Sequence, residues 1–287
     1  MAFNKTLNLL IFDGDPNGMI MCELSNWNGR IYKISRKKLN DFYAREDSSN
    51  TGVYFLLGKD DEFKNTIYIG EAEEVKRRLK QHIDDENYWS ECVVVLTKDN
   101  YLNKAHVKYL ENKFYNIAKE VDRYKVVNAT VPTCPDINTY DESMLEEFMS
   151  YSRLLINTLG FKVFEPVVEN ENAKSAEKTT KENIEDVFYI KASRNANAAG
   201  KLVSDGFVVL KGSTIANETV NSFAQSLRKN RERLIEEKIV DENFKFVKDY
   251  IFTSPSLAAA IVMGRNANGR TEWKTESGRT IKSIEEQ

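Results

Sequence analysis

The sequence predicts an α+β fold: a small three-stranded antiparallel sheet flanked by helices, with an N-terminal β element ahead of it and a separate C-terminal α+β domain behind. Three observations predict it. The β-favouring runs "TGVYFLLG", "NTIYIG" and "CVVVLT" alternate with stretches of helical periodicity. The first two runs flank the polar turn "KDDEFK", as the strands of a hairpin do. The stretch "ENENAKSAEKTTKENIED" then carries many charges and few apolar residues, so it cannot bury enough surface to offset its ordering entropy. We place a flexible linker over residues 166–186, which leaves an N-terminal element at 1–46, a central domain at 47–165 and a C-terminal domain at 187–287.

Along the chain, "LNLLIF", "MIMCEL" and "RIYKIS" read as short antiparallel strands separated by the turn-rich "DGDPNG" and "NWNG", and "RKKLNDFYA" as a short helix. Residues 71–83 read as a helix on the stripe Val75, Leu79, Ile83. Residues 103–121 form a second, with Val107, Leu110, Phe114 and Ile117 at helical spacing. A third runs over 140–159, with Gly160 placed to end it. Beyond the linker, "VFYIKA" and "GFVVLKGS" are strands and 218–237 a helix. "SPSLAAAIVMG" carries a Ser254 N-cap, Pro255 in the first turn and Gly264 as its stop. "RTEWKT" and "RTIKSI" alternate around "ESG" as a hairpin would.

The bulk numbers bound the function. With 41% hydrophobic and 30% charged residues, the chain can bury a core and stay soluble. No apolar run is long enough for a membrane span, and the start lacks the features of a signal peptide, so a cytoplasmic protein is the default expectation. Cys22, Cys92 and Cys134 lie far apart and read as thiols rather than disulfides or zinc ligands. A net charge of -3 does not advertise nucleic acid, but phosphate is met by local patches such as "KISRKK", "KRRLK" and "RKNRER".

Two features point to chemistry. On the second helix, Glu111 shares a face with Val107, Phe114 and Ala118. A carboxylate there either snorkels or points into a cleft where a hard divalent cation neutralises it. On the first helix, Arg78 and His82 are i, i+4 neighbours. Each is ordinary alone; what matters is the joint occurrence, in order, of Tyr54, Tyr68, Arg78, His82 and Glu111.

In that order these residues resemble the GIY-YIG nuclease family. "GVY" (52–54) and "YIG" (68–70) match its paired signature. Arg78 matches the arginine ten residues past the second tyrosine, His82 the tyrosine or histidine four further on, and Glu111 in "YLENKF" the metal-binding glutamate. Asn128 is the candidate for the family's late asparagine. The resemblance covers about residues 50–128, and Glu71 departs from it where many relatives carry lysine or glutamine. The whole chain is also similar to a bacterial subgroup with a β element in front and, in "SPSLAAAIVMGRNANGRTEWKT", a C-terminal domain of unassigned function, related to modules found beside restriction and modification enzymes.

The resemblance implies an endonuclease that hydrolyses DNA phosphodiester bonds with Mg²⁺ (or Mn²⁺) and leaves 5′-phosphate and 3′-hydroxyl ends. Glu111 would hold the ion, and Arg78 would grip the phosphate through its planar donor fork. Tyr54 or Tyr68 would take the proton from water, a role that requires Arg78, the metal or His82 to lower a phenol pKa of roughly 10. The family favours Tyr54; the residues alone do not separate the two. Arg77, Arg78 and Lys104 are the candidate DNA contacts of the central domain. Arg265, Arg270 and Lys274 are those of the C-terminal domain, where Trp273 either stacks a base or belongs to a core. Two other readings stay open: a non-catalytic nucleic-acid-binding protein that keeps the nuclease fold, and a protein-interaction adaptor.

Overall fold

A computed structural model describes residues 4–61, 64–85, 89–166 and 187–286. The chain divides into two compact units, Met1–Glu165 and Pro166–Gln287, each α+β. Residues 167–186, where the linker is expected, lie outside the described residues. No helix among the described residues is long and apolar enough to cross a membrane.

The first unit runs β1 (Leu7–Ile11), β2 (Met19–Leu24), β3 (Gly29–Ser35), α1 (Leu39–Tyr43), β4 (Gly52–Lys59), β5 (Asn65–Ala72), α2 (Val75–Asp85), β6 (Trp89–Thr97), α3 (Lys104–Val121), β7 (Lys125–Val126) and α4 (Thr139–Thr158). Among the described residues its sheet has seven strands in the order β1-β2-β3-β6-β4-β5-β7. Three were expected. The expected strands β4, β5 and β6 do pair antiparallel at the centre. However, β6 is apolar on both faces and cannot be an edge; β3 pairs with it from Gly29↔Thr97 to Ser35↔Glu91 and carries β2 and β1 into the same sheet. At the far side β7 pairs parallel with β5, over Thr66 and Ile67.

Alternation along β4 assigns the two faces of this sheet. Val53, Phe55 and Leu57 face one core, shared with Val107, Leu110 and Phe114 of α3 and Leu145, Phe148 and Leu155 of α4. Tyr54 and Leu56 face the other, shared with Val75 and Leu79 of α2 and with Leu39 and Phe42 of α1. Helix α2 begins at Val75 rather than at residue 71, because Glu71 and Ala72 still pair with Val53 and Gly52 as strand. Helix α3 starts from an Asn103 N-cap: Asn103 accepts from the His106 backbone, and the His106 ring accepts in return from the Asn103 backbone N–H. His106 is buried there.

The second unit runs β8 (Val187–Lys191), β9 (Asn197–Val203), β10 (Gly206–Val209), α5 (Gln225–Glu236), β11 (Tyr250–Phe252), α6 (Pro255–Met263), α7 (Gly269–Glu272) and α8 (Ile281–Glu285). Its antiparallel sheet has the order β11-β10-β9-β8. Helix α6 has the expected Ser254 cap, Pro255 in its first turn and left-handed Gly264 at its end, and every residue from Ala258 to Met263 is buried. Helix α5 starts at Gln225, later than expected, because Arg228 folds back to hold Thr219 Oγ1 and the Val220 carbonyl in a loop. The hairpin expected near the C-terminus is instead α7 and α8, joined by one bridge between Lys274 and Thr280. Asn268 and Thr280 cap these short helices, and Trp273 between them drops fully into the core, its indole N–H donating to the Pro255 carbonyl at 3.0 Å.

Burial of this size makes Trp273 a stability residue. Trp273→Ala is expected to cost about 3–5 kcal/mol, read as a lower urea midpoint of unfolding; a change under ~1 kcal/mol would mean that the ring lies outside the core.

Candidate functional site

The site grows from the outer edge of β5. Residues 67, 69 and 71 of this strand turn their backbone polar groups away from β4, and each finds a different partner. Val127 N–H donates to the Ile67 carbonyl at 2.9 Å. At Ile69 the strand has no further strand neighbour among the described residues, and the Asn128 amide replaces one: its Oδ1 accepts from Ile69 N–H at 3.0 Å and its Nδ2 donates to the Ile69 carbonyl at 2.7 Å. At Glu71 the neighbour is the carboxylate of Glu111, which α3 brings to the edge, close enough for the strand's backbone to favour its charged form. Among the described residues no strand covers this end of β5, and side chains from both faces of the sheet line one cleft beside it.

From the α2 face come Tyr54, Tyr68, Arg78 and His82. The Tyr54 hydroxyl lies 2.8 Å from His82 Nε2. The Tyr54 and Tyr68 rings stack at 6.2 Å, and the His82 ring sits 5.5 Å from the first and 5.0 Å from the second. The arrangement depends on glycine: Gly70 is the direct cross-strand partner of Tyr54, and a Cβ there would fall on the phenol ring and its oxygen. Gly52 is equally constrained, since its Cβ would meet the Val95 carbonyl. Arg78 is exposed, donates to Gln81 Oε1 at 2.9 Å and faces both phenols. Tyr54 is fully buried, and burial pushes its hydroxyl above the ordinary phenol range, with Tyr68 adding to the rise and Arg78 opposing it. The Arg78 charge acts in the direction that a base role requires, but desolvation outweighs it.

From the α3 face come Glu71, Lys104 and Glu111. Lys104 Nζ sits 2.9 Å from Glu71 Oε1 and 3.5 Å from Glu73. Glu111 is half-buried, and its carboxyl is raised to about 7, chiefly by desolvation and then by the charge of Glu71; Lys104 and Arg78 pull the other way. All of these residues except His82 line an open cleft of about 480 Å³ together with Glu74, Arg77 and Gln81. Among the described residues no group of three or more His, Cys, Asp or Glu side chains converges. A half-dry carboxylate beside an open cleft still fits a hard divalent cation that takes its other ligands from water and phosphate, and Glu111 is the residue that would hold it.

Of the residues singled out in sequence, Tyr54, Tyr68, Arg77, Arg78, Lys104 and Glu111 line this cleft, with His82 behind Tyr54. Asn128 is not among the lining residues; its amide is engaged with the β5 backbone, so it holds the strand edge and does not face the reacting groups. Lys104 is already paired with Glu71. In the second unit Arg265 pairs with Glu272 at 2.8 Å and Arg270 with Glu285 at 2.8 Å, while Lys274 bridges by backbone to Tyr189. Trp273 is buried, so of its two readings the one that holds is the core residue. Sequence reasoning missed Gln81, although it stands three residues after Arg78 on the same helical face, and Glu71 as a partner of Lys104, which no local pattern signals.

A family described as a domain of unknown function (DUF4357) matches residues 188–285, within the second unit. No solved structure matches the chain.

Two outcomes follow from this geometry. Gly70→Ala should displace Tyr54 and cost about 1–3 kcal/mol by overpacking, with the Tyr54–His82 bond lost as judged by the His82 NMR shift. The raised Glu111 carboxyl makes metal-free stability fall as pH climbs from 4.5, its ordinary value, to about 7, because the folded state holds the proton longer than the unfolded one. Solvent screening of its exposed part leaves roughly 1–2 kcal/mol of that decline. Glu111→Gln should flatten the decline in urea titrations across this range, leaving the variant more stable than the parent above pH 7.

Proposed function

We propose that the first unit is a metal-dependent DNA endonuclease of the GIY-YIG type, with β4, β5 and β6 as its three-stranded core and α2 and α3 as its flanking helices. The observation that carries this reading is the convergence of Tyr54, Tyr68, Arg78 and Glu111 on one open cleft, although they come from opposite faces of the sheet.

A phosphodiester entering the cleft would meet the exposed Arg78 fork, which suits two phosphate oxygens at once. Glu111 would hold Mg²⁺ or Mn²⁺. The bound ion would supply charge stabilisation at the phosphate and at the leaving oxygen. The protein's own contribution to activating water runs through Tyr54 and His82. A phenol held neutral by burial is a poor base alone, but the Tyr54 hydroxyl can pass its proton to His82 Nε2 as its oxygen takes one from water. Tyr68 packs against both rings and lines the cleft beside them, a position that orients water and phosphate. The second unit would serve as a targeting module for the same enzyme.

The test is cleavage of supercoiled, branched and single-stranded DNA with Mg²⁺. Activity on at least one form is expected, with Arg78→Ala and Glu111→Ala each losing roughly 100-fold or more while circular dichroism shows them folded. Salt-sensitive gel shifts without cleavage would instead favour a nucleic-acid-binding protein that has kept the fold. Full cleavage by purified Glu111→Ala would exclude the site.

A further inference from the structure

The sheet of the second unit has two unlike faces. Phe188 and Ile190 of β8 and Phe207 of β10 turn toward the helices and share a core with α6 and Trp273. Alternation puts Tyr189 and Lys191 on the opposite face, and cross-strand pairing arranges that face in rows. In one row Lys274 bridges by backbone to Tyr189, which pairs with Ala199. In the next, Lys191 pairs with Asn197, which bridges through Thr214 to Lys245. Three strand-to-strand steps separate the lysines at the two ends of this second row, roughly 14 Å.

Tyr189 is 38% exposed and takes no part in the core. Ala199, directly opposite it, is too small to cover a phenol ring. Lys191, Lys245 and Lys274 are exposed, and among the described residues none of the three has an ion pair. In this they differ from Arg265 and Arg270 of the same unit, which are held by Glu272 and Glu285. No acid stands in either row. Asp241, on the loop that leads to Lys245, turns its carboxylate to the backbone N–H groups of Asn243 and Lys245.

We infer that this face binds single-stranded DNA, with a base stacked on Tyr189 and the neighbouring phosphates met by Lys191, Lys245 and Lys274. Charge complementarity argues for phosphate: three uncompensated ammonium groups share one acid-free face in a chain whose net charge is -3. The ring argues for an unpaired strand, because a base offers its flat face to a side chain only outside a duplex stack. The inference rests on the targeting role proposed for the second unit and not on cleavage by the first.

The test is fluorescence anisotropy of a labelled mixed-sequence strand of about 20 nucleotides with the full chain in EDTA, so that no strand is cut. Tyr189→Ala is expected to weaken binding about 10-fold or more with unchanged circular dichroism and an unchanged salt dependence, and Tyr189→Phe to hold the parent affinity. Lys191→Gln and Lys274→Gln are each expected to flatten the slope of log affinity against log salt by about 0.7. A strand carrying 5-iodouracil should photocrosslink to Tyr189. A parent chain that does not bind, a Tyr189→Ala protein that binds like the parent, lysine variants with the parent slope, crosslinks confined to residues 1–165, or competition by the duplex or by polyglutamate as strong as that of the single strand would overturn the inference. Cleavage with Mg²⁺ is scored separately, so its absence counts against the first unit's proposed activity and leaves this binding result standing.

Discussion

The outer edge of β5 is the constraint on which the first unit's site depends. A strand in mid-sheet satisfies its backbone through two neighbours; β5 has a full neighbour in β4 and only two paired positions with β7. The remaining outward groups must be satisfied by other means, since an unpaired buried amide costs about as much as a lost hydrogen bond. Asn128 does this at Ile69. Had β7 continued for four more residues, the backbone would be better paired, but the two faces of the sheet would be sealed from each other. The early end of β7 thus leaves the cleft open, with the half-buried carboxylate of Glu111 at its margin.

The second requirement is close approach. Tyr54 lies flat against β5 because its cross-strand partner has no side chain. That packing fixes the phenol to within hydrogen-bond reach of His82, and it also dries the phenol out. Position and acidity therefore pull against each other: the contacts that hold the hydroxyl steady make its anion unfavourable. In the proposed nuclease a coupled transfer through His82 would resolve the conflict, because no free phenolate has to form.

Much of this was legible in the sequence where the signal is local. The apolar run of β4, the stripe of α3 with Glu111 on its buried side, and the cap, proline and glycine of α6 each report a structure built from near neighbours. The rest lies in pairings between distant residues. Nothing in "RIYKIS" says that it will lie beside "CVVVLT" and convert a three-stranded core into a seven-stranded sheet. The basic clusters misled for the same reason. In "RKNRER", Arg228 ties down a loop and Arg231 is buried, with Nη1 2.8 Å from the Ile261 carbonyl near the end of α6, so the two cations serve the backbone and do not form a basic face. Charge counted along a sequence overstates the charge available at a surface.

The same reasoning explains the departure at Glu71. An acid beside an arginine proposed to grip phosphate is unfavourable unless it is neutralised, and Lys104 pairs with it from the first turn of α3. The pairing removes Lys104 as a free phosphate contact, but it leaves Glu111 flanked by a second carboxylate in a half-dry cleft. Two such groups repel, and the rise of Glu111 measures that repulsion together with the loss of water. Either a proton or a metal ion relieves it. In the proposed nuclease, a divalent cation held by Glu111 would bring two positive charges to this position, where a proton brings one. The acidic substitution beside the signature is therefore compatible with the proposed cation site: Lys104 holds Glu71 in place, and the Glu71 charge adds to the rise of Glu111.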